Sequence, residues 1–246
     1  MKLSQVFLKD ERVIKRIVEA VSPSEGDVFV EVGPGLGVIT FPLMEAGARV
    51  VAVEIDTFLC MSLRRKGVDA VCGDYLKTDV ESLLKERGVE GKARFFSSVP
   101  YHITHDLLLK VFGERRLYRD IHLILQKEVA DRLVAEEGSK TYGPFSVIAR
   151  ALFHPKVLFR IPRGAFSPVP KVHSALVRLV PREDRLNVDV IRFLKFLKVP
   201  FSRRRKKLRN TMRDIPEEFA DLRPENLPPE VWMKLYMNKK RKSPLK

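Results

Sequence analysis

Three glycines, Gly33, Gly35 and Gly37, mark the first place in this chain where chemistry could be done. They lie in Glu31-Val32-Gly33-Pro34-Gly35-Leu36-Gly37, which runs on from the apolar stretch VFVEV (28–32). Glycine lets a backbone take positive φ and come close to a ligand. The spacing is GxGxG, not the GxGxxG that aims helix amides at a dinucleotide pyrophosphate. A ligand without phosphate suits this loop, and S-adenosylmethionine with its aminoacyl chain is one. Alone, the loop reads equally as an ordinary tight turn. Two acids sharpen it: Glu54 near the end of RVVAVEID (49–56) and Asp74 at the end of VDAVCGD (68–74). At the carboxyl edge of an open α/β sheet, Glu54 can accept both ribose hydroxyls and Asp74 an adenine amine. Asp56 competes with Glu54 for the ribose.

The second place is Ser97-Ser98-Val99-Pro100-Tyr101, leaving the strand-like ARFFSSVPY on the same edge. It resembles the Asn/Asp-Pro-Pro-Tyr and Asn-Leu-Pro-Tyr motifs of amino-group methyltransferases. There a side-chain oxygen and a backbone carbonyl accept the two protons of an exocyclic amine, and the aromatic ring stacks on the base. An adenine amine is a poor nucleophile because its lone pair is delocalised into the ring. Acceptors on its protons favour a pyramidal, more nucleophilic nitrogen, so positioning and electrostatics carry the catalysis and no strong base is needed.

These residues need a sheet behind them. Asp10 is a plausible N-cap for a helix over 11–21, whose Val13, Ile14, Ile17, Val18 and Val21 share a face. VFVEV reads as a buried parallel strand. RVVAVEID, a helix over 57–66, VDAVCGD, ARFFSSVPY, a helix near 103–112 and IHLILQ continue the alternation. VLFRIP (157–162) and HSALVRLV (173–180) have only the proline-rich RGAFSPVPKV between them, so a hairpin is expected. From about residue 183 the pattern turns helical and basic, and NKKRKSPLK reads as disordered. We expect a mostly parallel Rossmann-like α/β domain over 1–182, ended by an antiparallel hairpin. A small basic helical RNA-binding domain over 183–246 is expected to follow.

The chain has 246 residues, 45% of them hydrophobic, enough for one sizeable core and a smaller appendage. Lys and Arg total 46 against 31 Asp and Glu, a net charge of +15. A thermophile-like surface explains many charges but not their one-sided sign, so a polyanionic partner is favoured. The run Arg203-Arg204-Arg205-Lys206-Lys207-Leu208-Arg209 is expected on a helix, anchored by Phe201, Leu208 and Met212, with its cations toward phosphates. Trp232 and Tyr236, four apart, read as packing of the small domain. Cys60 and Cys72 have no metal spacing and read as two buried thiols, with no disulfide and no metal. No apolar run is long enough to span a membrane, and MKLSQVFLKDERV lacks a signal-peptide core, so a cytoplasmic protein, expected monomeric, is read.

The order of motifs resembles one family, the KsgA-type ribosomal RNA small-subunit adenine dimethyltransferases, in a charge-rich archaeal- or thermophile-like form. SQVFL (4–8) is similar to its GQNFL opening, and EVGPGLGVIT matches its glycine motif. VEID, GDYLK and LQKEVADRL sit in its order. AFSPVPKVHSALVRL (165–179) and FSRRRKKLRNTM (201–212) are the most specific matches. The resemblance implies a class I methyltransferase fold using S-adenosyl-L-methionine and releasing S-adenosyl-L-homocysteine. It implies that Gln5, Val6 and Leu8 close over the cofactor. Gly33 and Gly35 would face its methionine part, Glu54 its ribose and Asp74 its base. Tyr101 and Phe166 would sandwich a target adenine extruded from its stack, beside Pro100 and Ser98, and Ser98 would also touch the cofactor. The flanking prolines favour an exposed Phe166.

Two residues depart from the family pattern: Val6 and Ser98 stand where it has asparagines. They favour a rival reading, a non-catalytic RNA-binding ribosome-assembly factor on the same fold. A dinucleotide oxidoreductase is disfavoured by the GxGxG spacing, and a DNA adenine methyltransferase by FSPVPKVHS and the basic run.

Overall fold

The computed structural model describes residues 6–183 and 188–242. The chain opens with β1 (Phe7–Leu8), α1 (Glu11–Val21), β2 (Val28–Val32), α2 (Thr40–Glu45), β3 (Arg49–Glu54), α3 (Thr57–Arg65) and β4 (Asp69–Cys72). It continues through α4 (Val80–Glu86), β5 (Ala93–Ser98), α5 (Thr104–Gly113), β6 (Tyr118–Gln126), α6 (Lys127–Val134) and α7 (Pro144–Leu152). Then come β7 (Phe153–Ile161), β8 (Phe166–Ser167), β9 (Ser174–Pro181), α8 (Val190–Ser202), α9 (Glu217–Ala220) and α10 (Pro229–Lys242). Asp10 caps α1 as expected, accepting the amides of Arg12 and Val13.

The main sheet runs β4-β3-β2-β5-β6-β9-β7. The strands from β4 to β6 are parallel, and β9 runs antiparallel to β6. The expected alternation and antiparallel end are therefore present. Strands β2, β3 and β5 are buried along nearly their whole length, as parallel strands covered on both faces are, although β5 carries Arg94 and Ser97 into that interior. Chain order reverses between β2 and β5, and ligands of open α/β sheets bind at the carboxyl ends beside such a reversal. Gly33 leaves β2 and Ser98 ends β5, so both expected motifs flank that point. A second, two-stranded sheet pairs β1 with β8, matching Phe7 to Ser167 and Leu8 to Phe166. Two-residue strands carry no periodicity, and the sequence reading missed them.

The chain divides into two compact units. Residues 1–130 and 156–181 form the first, and 131–155 with 182–246 the second. The boundary near 182 recurs in this grouping, and 131–155 group with the second unit. Apolar α7 packs on α8 and α10, and the Tyr142 hydroxyl donates to the Leu227 carbonyl at 2.8 Å. In the same unit Trp232 and Tyr236 are buried against Phe193, Phe196 and Phe201, as the packing reading expected.

Three further expectations are corrected. Cys60 and Cys72 form a disulfide: α3 lies against β4 and brings their Cα atoms to 5.5 Å, a proximity that a 12-residue separation does not reveal. The basic run is not helical. Helix α8 ends at Ser202, and 203–206 form turns before a single 3₁₀ turn at Leu208–Asn210. Pro200 inside the last turn of α8 offers no amide to the preceding turn, which disfavours continuation. At the other end, residues 238–242 continue α10 instead of fraying, and 243–246 lie outside the described residues.

Candidate active site

Backbone conformation builds the glycine loop. Gly33, Gly35 and Gly37 have φ of 68°, 59° and 83°, in the left-handed region that favours glycine. A side chain at Gly35 would also meet the Phe7 ring at 3.0 Å. The N-terminal segment thus lies on the loop, held there by the β1–β8 pairing. Phe7 was missed by sequence reasoning; a glycine under close approach was the available signal. Val6 is partly buried and Leu8 is buried in the core, while Gln5 lies outside the described residues.

Glu54 and Asp56, the two candidates for the ribose, differ in what they hold. Its Oε2 accepts the Gly35 amide at 3.0 Å and its Oε1 accepts the Asp56 amide at 2.9 Å. Asp56 instead caps α3, accepting the amides of Phe58 and Leu59. One buried carboxylate therefore ties the glycine loop to the end of β3, and each oxygen keeps a lone pair for a further donor. The flanking Leu36 and Ile55 are more than half exposed, which leaves apolar surface beside that carboxylate. Asp74 follows β4, partly buried, and accepts the Leu76 amide at 2.9 Å.

Glu31 is a further acid that the sequence reading quoted without a role. It is buried on β2, and its Oε2 has no hydrogen-bond partner among the described residues. Burial pushes its carboxyl up to about 7, partly offset by the Thr40 hydroxyl and reinforced by the charge of Glu54. An unsatisfied buried acceptor beside a tight glycine loop suits a ligand that brings donors or positive charge. S-Adenosylmethionine carries an ammonium, a sulfonium, ribose hydroxyls and an apolar base face, so the donor set fits it.

Strand β5 delivers the second motif. The Ser97 hydroxyl is buried and donates to the Val32 carbonyl at 2.8 Å. Ser98 points the other way by strand alternation, is partly buried, and its hydroxyl has no hydrogen bond among the described residues. Geometry thus separates two serines that sequence alone leaves side by side. The Pro100 carbonyl already accepts the Ile103 amide and the Thr104 hydroxyl, each at 3.2 Å. Tyr101 is 39% exposed. Phe166 is not exposed: at 3% it sits in the core cluster beside Leu8, because β8 pairs with β1. The expectation of an open Phe166 is corrected by that pairing.

With this geometry in view, the comparisons are specific. The family model described as "Ribosomal RNA adenine dimethylase" matches residues 1–243. The chain belongs to this ribosomal RNA adenine dimethylase family. Relatives named "Ribosomal RNA small subunit methyltransferase A" include one from Xylella fastidiosa (strain Temecula1), 38% identical over 86% of this chain and 82% of its own. Another, from Thiobacillus denitrificans, is 37% identical over 90% and 88%. Among solved structures, a dimethyladenosine transferase from Plasmodium falciparum superposes with a TM-score of 0.80 at 22% identity, over 96% of this chain and 98% of its own. The 23S rRNA methyltransferase ErmE superposes with a TM-score of 0.71 at 23% identity, over 94% and 98%. These two likenesses show that the chain has the fold of class I methyltransferases.

The basic run of this chain divides by partner. Arg204 is held by the Glu225 carboxylate and donates to the Ser139 and Lys140 carbonyls. Lys207 pairs with Asp221 at 2.8 Å, and Arg209 with Asp221 at 2.8 Å and Glu217 at 3.4 Å. Arg203, Arg205 and Lys206 meet no carboxylate among the described residues. Together with Arg204 they line a cavity of ≈ 620 Å³.

A pH-dependent signature follows from two buried groups in the first unit. Burial pushes His122 down to about 4, against the pull of Asp120 and with help from the charges of Arg94 and Arg178. Its folded value lies below its unfolded one, so the stability it contributes is present above about pH 6.5 and lost as pH falls through about 4. Glu31 has the opposite sign: its value is raised from 4.5 to about 7, so stability is lost as pH rises through that interval. The two slopes oppose each other between about pH 4.5 and 6.5. Glu31→Gln should remove one of them, so that stability climbs with pH more steeply than in the parent. Urea midpoints across that interval check it, and parallel curves for the two proteins would refute it.

Proposed function

We propose that this protein transfers methyl groups from S-adenosyl-L-methionine to the exocyclic amine of adenines near the 3′ end of small-subunit ribosomal RNA, making dimethyladenosine during ribosome biogenesis in the cytoplasm. The family supports methyl transfer to ribosomal RNA adenine. The observation that carries the site is the Ser98 hydroxyl, without a partner among the described residues, three residues before an exposed Tyr101, at the strand edge adjoining the glycine loop.

When bound, the cofactor supplies an activated methyl on a sulfonium. Gly33, Gly35 and Glu31 face its aminoacyl end, Glu54 its ribose, and Asp74 with Ile55 its base. Tyr101 offers a ring face to the extruded adenine. Ser98 accepts one amine proton and a neighbouring backbone carbonyl the other, which directs the nitrogen lone pair at the methyl. The amine nitrogen would take the methyl that the cofactor supplies, and its displaced proton would leave to water. The test is mass spectrometry of adenosine from unmethylated small-subunit particles incubated with protein and cofactor. Dimethyladenosine is expected; cofactor and RNA binding without methylated adenosine would favour the assembly-factor reading, which the buried Phe166 and Ser98 support.

Two expected results concern binding. Glu54→Gln keeps one carbonyl acceptor but removes the charge and one of two acceptor oxygens, so cofactor affinity should fall about tenfold, as for a missing hydrogen bond to a charged group. Calorimetry on the folded variant measures it, and unchanged affinity would remove Glu54 from the ribose. For RNA, neutralising Arg203, Arg205 and Lys206 should flatten the dependence of log K on log salt by about 0.7–0.9 for each phosphate no longer neutralised. Neutralising Lys207 and Arg209, which already face acids, should flatten it less. Filter binding at several salt concentrations separates the two sets, and equal slopes would mean that the carboxylates do not matter.

A further inference from the structure

A cavity of ≈ 330 Å³ in the first unit is lined by Lys127, Arg160, Pro162 and His173. Its volume equals that of about ten waters, room for a phosphate with part of its sugar. Arg160 and His173 are exposed at its mouth and meet no carboxylate among the described residues. The Lys127 amide donates to the His173 carbonyl at 2.9 Å, which fixes the end of β6 against the start of β9. The lining is cationic and contains no acid.

Its position ties it to the amine site. Ser98 is in register with Ile124 on the adjoining parallel strand. Gln126, two residues further along β6, lies roughly 8 Å from Ser98 by ordinary strand spacing and rise, and Lys127 follows it. Pro162 and His173 are the two ends of the segment that carries Phe166 from β7 to β9. An anion held in this cavity would therefore sit beside the target base and touch both ends of the segment that bears the second aromatic ring.

We propose that this cavity is a subsite for a backbone phosphodiester of the RNA substrate, one or two nucleotides from the methylated adenine. Arg160 supplies a planar fork of donors matched to phosphate oxygens, and His173 a ring nitrogen from the opposite wall. An extruded base stays in its pocket only if its backbone is held, and this subsite does that without reading sequence. The inference rests on the RNA-methyltransferase reading above and deepens it.

The test compares the parent with Arg160→Glu/His173→Asp and with Arg160→Lys. Binding of a transcript of the small-subunit RNA 3′ region is measured by filter retention at several salt concentrations. Cofactor affinity is measured by calorimetry, and methyl transfer at saturating RNA. The charge-reversed variant should bind RNA at least tenfold more weakly, with a salt slope lower by about 0.7 for one single-strand phosphate left without its cation. Its cofactor affinity should be unchanged, and transfer should recover as RNA is raised. The charge-keeping variant should retain the parent's salt slope, which excludes a folding defect as the cause. Parent-like RNA binding by Arg160→Glu/His173→Asp, while the parent methylates, would overturn the subsite alone. A parent that neither binds nor methylates RNA would overturn the reading beneath it.

Discussion

Asp120→Ala is expected to cost about 3–5 kcal/mol of folding stability, because it leaves a buried guanidinium without one of its two carboxylates. Arg94 on β5 is buried, and its Nε and Nη2 donate to both Asp120 oxygens at 2.8 and 3.0 Å. Its Nη1 reaches Asp27 at 2.8 Å and the Ser22 carbonyl at 3.0 Å, and its Nη2 also reaches the Val21 carbonyl. Arg119 and Arg178 complete the network from its exposed side. Burial pushes the Asp27 and Asp120 carboxyls up, but the hydrogen bonds and charge of Arg94 outweigh it, and both sit below the usual carboxylate range. Urea unfolding should show a lower midpoint with an unchanged slope. The network joins the end of α1 to the starts of β2, β5 and β6, at the sheet edge opposite the glycine loop. What remains folded should therefore bind cofactor as the parent does. A loss below about 1 kcal/mol, the scale of an exposed pair, would show that water reaches this network.

That network also shows where the sequence stops being readable. Arg94 sits in ARFFSS, a run that announces a strand but not what a guanidinium inside it would meet. Its partners lie 26 and 67 residues away, and only the sheet order brings them together. Elements whose periodicity matches their burial, such as VFVEV and RVVAVE, were legible, and so was the edge they share. The place of Glu54 at the end of β3 was legible; its ties to the Gly35 and Asp56 amides were not, because they depend on how the glycine loop turns. Two-residue β1 and β8 have too little length for a pattern, so the burial of Phe166 and the contact of Phe7 with Gly35 were invisible. The basic run looked helical from its anchors alone. Its turns reflect Pro200 and the pull of Glu225, Ser139 and Lys140 on Arg204, which come from elsewhere in the second unit.

Ser98→Ala should lower the single-turnover methyl-transfer rate by about ten- to a hundredfold, the worth of one hydrogen bond made to the reacting amine in the transition state. Ser98 is the serine with a hydroxyl to give, since that of Ser97 is committed to the Val32 carbonyl. It stands where the family has an amide side chain, whose oxygen reaches further from the backbone. In the proposed role, Ser98 would therefore accept the amine proton only with the base drawn close to the end of β5. Cofactor affinity should be spared, because the lost bond is one made to the reacting amine. Ser98→Asn should match or exceed the parent rate, provided the pocket admits the longer side chain. The comparison needs saturating small-subunit particles, so that RNA binding does not mask the chemical step. A parent rate that Ser98→Ala leaves unchanged would mean that backbone carbonyls alone orient the amine. A parent that binds cofactor and RNA, transfers almost nothing, and gains transfer with Ser98→Asn would mark this chain as an assembly factor that had lost its catalysis at this one position.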